Sequence, residues 1–386
     1  MAFEVLAIPQ MLRRLVDAAP MLREAIEQGN AGTLRSLLGP AFRGLIEQRG
    51  KQGPNTEMPL GFSAHFDWGY SRDQPALQRL YEAAKISQWN GSTDLDWSVD
   101  VDPENPARRL LPYSFLPVFE LKSFRTAPPL QQNRLVHSFA SWLLSQFLHG
   151  EQGALFASAQ VTEAVPWLDA KLYGSTQVVD EGRHVEVFHG YLTRKLNKLY
   201  QINDNLYVVI DALMSDSRWD LKFLGMQIMI EGLALGAFGF IRQVTLEPLL
   251  KQLLTYVITD EARHVHYGVL ALQRYYQELS EPERREREDW AFEIALLLRN
   301  RFFAHEVYEE HYAQEMSRRA WEKLVLRSEM MQVFRRTMFK RLVPNLKRIG
   351  LLSDRMRPRY QAADLLEYES LPAAPELTAQ DLLDDR

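Results

Sequence analysis

The chain has 386 residues, with 45 Lys and Arg against 50 Asp and Glu, and a net charge of −5, a balance that argues against a nucleic-acid partner. It has no cysteine, which excludes disulfides, zinc–thiolate sites and iron–sulfur clusters. No run of about 18 uncharged apolar residues marks a membrane span, and the length suffices to bury a large helical core.

In chain order, Met1-Ala2-Phe3-Glu4 opens with an acid and continues with helix-spaced apolar residues, so no signal peptide is expected and a cytoplasmic location is the default. Residues 7 to 49 read as two short amphipathic helices, 50 to 73 as a loop, and 75 to 88 as a further helix. An irregular stretch then runs to Pro129. Together 1–128 are expected to pack on a central four-helix bundle at 129–280. Residues 284 to 349 suggest two long charged helices within a C-terminal part, 281–370, of the same domain. The second carries Arg335, Arg336, Lys340, Arg341, Lys347 and Arg348, a solvated face by default and otherwise a place to dock an acidic carrier or reductase. Residues 371–386, rich in Pro, Ala and acid, are expected to be a mobile tail.

The bundle region holds the chemistry. Asp180-Glu181-Gly182-Arg183-His184 and Asp260-Glu261-Ala262-Arg263-His264 stand 80 positions apart, and each follows a lone carboxylate, Glu151 or Glu231, by 30 positions. Glu and His at i and i+3 project from one helical face and can reach one metal ion together. A single Glu-x-x-His is usually a solvated face; the duplicated set, Glu151, Glu181, His184, Glu231, Glu261 and His264, matches the ligands of a carboxylate-bridged two-metal site in a four-helix bundle. Thirty residues also suit two antiparallel arms of about 13 residues, about 20 Å each, around a short turn. Pro166 and Pro248 fall midway and read as helix starts, and 201–217 reads as a long crossover between the two hairpins.

Metal-bound imidazoles usually give their second N–H to a carboxylate. Asp180 and Asp260 are placed for that, each towards the histidine of the opposite hairpin, with Arg183 and Arg263 offsetting the burial of their charge; the plain alternative is four surface charges. His149, His189 and His266 lie off the ligand face, as does Glu186, and Glu163 falls too near the turn to join the set.

Twin Asp-Glu-x-Arg-His motifs, each after a lone Glu, resemble the ferritin-like di-iron oxygenases and oxidases: bacterial multicomponent monooxygenase hydroxylases, aerobic cyclases and aryl-amine N-oxygenases. The specific match covers roughly residues 147 to 268, with Gln88-Trp89-Asn90 and Asp96-Trp97 as weaker context. The resemblance implies an all-α ferritin-like bundle with a long crossover, two iron ions with Mn/Fe as a variant, O2 as co-substrate, and Glu231 and Glu261 as bridging carboxylates. It also implies an external electron donor or reductase and a homodimer. Leu235 replaces the threonine of the multicomponent hydroxylases, Phe188 the radical tyrosine of the ribonucleotide reductase small subunit, and Val257 the extra histidine of the N-oxygenases. Those three devices are therefore not expected.

The third bundle helix carries Gly232, Gly236 and Gly239 beside Glu231. Helical glycine costs about 1 kcal/mol relative to alanine, so close packing or room for dioxygen and substrate must explain them. On the second view Phe147, Leu155 and Phe156 with Gly232, Leu235, Gly236 and Phe238 form an apolar pocket for a small or apolar organic substrate. The expected function is an O2-activating oxidase or oxygenase (hydroxylation, N-oxygenation, desaturation or oxidative cleavage). The alternatives are a ferroxidase or iron-handling protein, and an accessory subunit with a structural metal site.

Overall fold

A computed structural model describes residues 30–53, 56–58 and 63–384; residues 7 to 29 of the expected N-terminal helices lie outside them. Among the described residues the chain is helical without strands. The core is two hairpins. The first joins α3 (Pro129–Ala164) to α4 (Leu168–Gly190), and the second joins α6 (Trp219–Val244) to α7 (Pro248–Tyr275). The crossover between them carries its own helix, α5 (Asp204–Ser215), with the Asn203 side chain accepting from the Asn205 N–H as cap. Outside the bundle, α1 (Ala31–Ala41) packs on α5, and α2 (Pro75–Ile86) packs on α4 and α7.

Local chemistry sets the hairpin boundaries. Val165 is extended ahead of Pro166 (φ −64, ψ 136), because a residue before proline is driven out of the helical region. Pro166 thus ends α3 rather than starting α4, which begins at Leu168. Pro248 does open α7, with the Glu247 carboxylate accepting from the N–H groups of Leu249 and Leu250.

The rod α6 is long and apolar enough to cross a membrane by length and composition, yet 94% of that window is buried inside the protein. Its apolar surface is therefore accounted for by neighbours, as in a core helix. Within it, Leu224–Ile230 forms a π turn that ends where Glu231 begins, a local widening often found at functional sites.

The C-terminal part differs from expectation. In place of two long helices there are four: α8 (Glu281–Asn300), α9 (His305–His311), α10 (Arg318–Arg327) and α11 (Glu329–Arg348). Left-handed Ala304 (φ 50) and the Ser317 and Ser328 caps break the run. The segment from Leu371 is also seated rather than loose. Ala374 N–H donates to Asn345 Oδ1 (2.8 Å), Arg242 donates to the Leu383 carbonyl (3.0 Å), and Ala379–Asp384 is helical. This segment and the residues just before it cover part of the basic face of α11. Arg336 faces Glu367 and Arg348 faces Glu376, both at 3.6 Å, and Lys347 donates to the Glu369 carbonyl (3.3 Å). Such exposed pairs are each worth about 0–1 kcal/mol, but they leave less of that face for an outside partner.

Helix α11 lies directly on α6. A Cβ at Gly236 would stand 2.7 Å from Met338 Cα and 2.7 Å from the Thr337 carbonyl oxygen, both backbone atoms. Close helix packing therefore explains this glycine. Gly236→Ala is expected to destabilise the fold by about 1–3 kcal/mol through overpacking, read as a lower denaturant midpoint; an unchanged midpoint would show that the helices separate freely.

Candidate metal centre

The four bundle helices converge on one buried cluster. Glu151 comes from α3, Glu181 and His184 from α4, Glu231 from the end of the π turn in α6, and Glu261 and His264 from α7. All six are at most 5% exposed. Ligand atoms of Glu151, Glu181, His184 and Glu261 lie within 4.8 Å of one another, and so do those of Glu181, Glu231, Glu261 and His264. Glu181 and Glu261 therefore belong to both groups, while Glu151 and Glu231 each belong to one. Glu261 thus stands between the two groups as a bridging carboxylate would, joined there by Glu181, while each lone glutamate, Glu231 included, sits at one end with the histidine of its own hairpin.

Both imidazoles are oriented alike. His184 Nδ1 lies 3.2 Å from Glu151 and from Glu261 and 3.4 Å from Glu181, while its Nε2 meets Asp260 Oδ2 at 3.2 Å. His264 Nδ1 lies 3.1 Å from Glu181 and 3.4 Å from Glu261, and its Nε2 meets Asp180 Oδ2 at 3.2 Å. Each aspartate thus takes the histidine of the other hairpin. An Nε2–H donated to aspartate leaves Nδ1 to present a lone pair among the glutamates, which is how a histidine ligand is aimed.

Around the aspartates is a second ring of polar contacts. Arg183 pairs with Asp180 and donates to Asp260 at 3.1 Å; Arg263 pairs with Asp260 and lies 3.7 Å from Asp180. Helix α2 and the residues after it close the ring. Gln88 donates to Asp180 (3.0 Å) and accepts from Arg183 (2.8 Å), and Trp89 Nε1 donates to Asp260 (2.7 Å) with Arg183 over its ring. Asp96 and Trp97 do not join this ring: Asp96 accepts from the Ser98 N–H and its own N–H donates to Gln252, while Trp97 donates to the Gly91 carbonyl and lies under Arg194.

Two residues escaped the sequence reading. Gln177, one turn before Glu181, donates to Glu181 (3.0 Å) and to Glu231 (2.9 Å), and Gln227, one turn before Glu231, donates to Gln177 (3.3 Å). Glutamine at i−4 from both glutamates was the available signal. His149 instead binds the Tyr200 carbonyl (2.9 Å), away from the cluster.

The electrostatics ask for cations. Burial and repulsion from Glu261 push Glu151 well above the usual carboxylate range, and Glu231 is raised for the same reasons. Burial acts on Glu181 too, but His264 and His184 outweigh it and hold that carboxyl well below the usual range. Burial disfavours charge on His184 and His264, yet the surrounding carboxylates raise both imidazole pKa values well above the usual range, so a metal ion taken up at Nδ1 would displace a proton. Oε2 of Glu181, Oε2 of Glu231 and Oε1 of Glu261 are buried without a hydrogen-bond partner. Buried polar atoms normally have partners, so three orphaned carboxylate oxygens beside two aimed Nδ1 atoms fit a pair of cations. Four carboxylates and two imidazoles neutralise two divalent ions, and such an oxygen-rich set suits iron or manganese.

The adjoining cavity has a volume of about 20 Å3 and is lined by Phe147, Gly150, Ala154, Ile230, Ala234 and Phe238 together with Glu151, Glu231, Glu261, Gln146 and Arg301. Phe147 and Phe238 are therefore where the sequence placed them, their rings 4.7 Å apart. Leu155, Gly232, Leu235 and Gly236 do not line it. Leu155 is half-buried and Phe156 is 54% exposed, on the outer side of α3, while Gly232 and Gly236 face α11. The small residues that give room are Gly150, Ala154 and Ala234.

No family model matches the chain, and no curated protein does. Among solved structures, variants of an R2-like ligand-binding oxidase with anaerobically reconstituted Mn/Fe cofactor are similar. One is 18% identical, covers 69% of this chain and 93% of its own, and has a TM-score of 0.41. A second is 18% identical over 72% and 94%, with a TM-score of 0.44. A third is 18% identical over 74% and 96%, with a TM-score of 0.43. The similarity is distant, and the chain's own side chains carry the functional assignment.

Proposed function

We propose that this chain is an O2-dependent oxidoreductase whose two metal ions, two irons or manganese with iron, are held by Glu151, Glu181, His184, Glu231, Glu261 and His264. The observation that carries it is the pair of overlapping four-ligand groups, buried, with orphaned carboxylate oxygens and both histidines fixed by aspartate. When bound, the metal pair supplies dioxygen binding and reduction. The chain's own residues do the rest. Asp260 and Asp180 hold the Nε2 protons and keep each Nδ1 aimed inward. Gln177 ties Glu181 to Glu231 across the hairpins and restrains both carboxylates. Phe147, Phe188 and Phe238, with centroids 4.7–6.2 Å apart, form an aromatic wall that excludes water from the cavity side. Without cysteine the chain holds no thiolate redox centre, so electrons come from an outside donor.

The test is metal analysis of protein expressed in iron-rich and in manganese-supplemented medium, followed by O2 uptake of the anaerobically reduced, metal-loaded protein. About two ions per chain and O2 uptake in proportion to metal are expected. Sub-stoichiometric metal would overturn the assignment. Repeated turnover of added Fe(II) without organic substrate would replace it with a ferroxidase.

A further inference from the structure

One polar group on the cavity wall has no role in holding metal. Arg301 sits just beyond α8, in the single turn Arg301–Phe303, and is 2% exposed. Its Nε has no hydrogen-bond partner, and no carboxylate among the described residues pairs with its guanidinium; its side chain rests on the Phe302 ring at 4.7 Å. Burial alone pushes its pKa down to about 10, which still leaves it cationic at neutral pH. Other buried arginines are matched: Arg183 and Arg263 by the two aspartates, and Arg287 by Asp220 at 3.0 Å. Gln146, the uncharged polar residue of the wall, is already committed, its amide donating to the Gln201 carbonyl (3.0 Å) and accepting from the Asn203 N–H (2.8 Å).

Charge counting isolates the same residue. Four glutamates balance two divalent ions, and Asp180 and Asp260 balance Arg183 and Arg263. Arg301 is left as an uncompensated buried cation facing a cavity that is otherwise apolar beyond the three glutamates and the committed Gln146. A buried charge is costly unless paired, and planar guanidinium is matched to carboxylate.

We propose that Arg301 receives the anionic group of the substrate, so that the site takes a small organic carboxylate whose apolar body lies against Phe147, Ala234 and Phe238. This rests on the oxidase assignment for the same site and adds the substrate class. A cavity of about 20 Å3 has room for a water molecule and little more, so the anion enters by opening the aromatic wall.

The test is calorimetric titration of hexanoate and benzoate, with 1-hexanol and benzamide as uncharged comparators, into metal-loaded wild type, Arg301→Met and Arg301→Lys. Both anions are expected to bind wild type and to bind Arg301→Met about tenfold to a hundredfold more weakly, the loss of one charge-assisted contact. Arg301→Lys is expected to fall between. Without ligand, Arg301→Met is expected to melt at a higher temperature than wild type, since it removes an unpaired buried charge. Equal hexanoate affinity in wild type and Arg301→Met would overturn the proposal, placing the anion on the metals alone. So would hexanol binding as tightly as hexanoate, or no binding of either anion to wild type. The same titrations on metal-free protein separate the two assignments: Arg301-dependent anion binding that persists without metal supports the proposal even where metal analysis fails the oxidase.

Discussion

Glu181→Ala or Glu261→Ala is expected to empty both halves of the metal site, whereas Glu151→Ala or Glu231→Ala is expected to empty one. The asymmetry comes from the shared position of Glu181 and Glu261 in both ligand groups. Removing Glu181 takes an oxygen from the His184 group and from the His264 group together, and it also removes one of the two carboxylates that Gln177 ties. Removing Glu151 leaves the His264 group with all four of its members. Metal per chain, measured by mass spectrometry on purified variants, should fall from about two to near zero in the first pair and to about one in the second. Full loading of Glu181→Ala would show that the shared carboxylates are not ligands. Loss of both ions from Glu151→Ala would show that the halves load only together.

Asp260→Asn should be the most damaging change outside the six ligands. Asp260 accepts from His184 Nε2, Trp89 Nε1 and Arg183, and pairs with Arg263. Asparagine keeps the shape but removes the charge and turns an N–H2 towards donors, leaving two buried guanidinium groups short of an acceptor. Breaking a buried ion pair from one side typically costs about 3–5 kcal/mol, and losing a carboxylate behind a metal histidine weakens metal binding about 10–100-fold. Denaturant melts of metal-free protein and competitive metal titrations read the two effects separately; wild-type values in both would reduce Asp260 to a bystander. The pH dependence has a definite sign. Burial works against ionisation of Asp260, but the His184 hydrogen bond and charge and Arg263 overcome it and hold its pKa well below the usual carboxylate value. A depressed carboxyl contributes stability that is present above its unfolded pKa, about 3.9, and lost as pH falls towards the folded value. The stability gap between wild type and Asp260→Asn should therefore be flat from about pH 5 to 8 and close only in stronger acid.

The six-residue cluster and the two hairpins were legible because helix geometry constrains spacing tightly. Glu and His three apart must share a face, and lone glutamates 30 positions earlier must return to the same height. Asp180 and Asp260 were legible for the same reason, being fixed one residue around the helix from a cluster member. What the sequence hid depends on neighbours that pattern does not specify. Gly236 reads equally as a packing contact or as room for a ligand, and only the approach of α11 decides it. Leu235 lies one turn from Glu231 yet misses the cavity, because Ala234 takes that aspect of the helix. Arg301 stands far along the chain from the motifs, in a single turn with no periodic signal, and reaches the site only through the path of α8. The segment from Leu371 reads as a loose tail when considered alone; its acidic residues, opposite in charge to α11, were the clue to where it settles, as Glu376 does beside Arg348.

The π turn at Leu224–Ile230 has a consequence for how this protein tolerates change. A π turn is an α-helix that has accepted one residue too many, and each residue advances the helix by about 100°. Glu231 begins where that turn ends, so the turn sits at the point where a change in chain length would otherwise alter the aim of a cluster residue. A single residue lost from the turn would restore an ordinary helix and leave the flanking turns, Glu231 included, in register, whereas the same loss in regular helix would rotate everything beyond it by about 100°. The seven residues ahead of Glu231 therefore act as a local reserve of length, able to take up a change in residue number before it reaches the cluster.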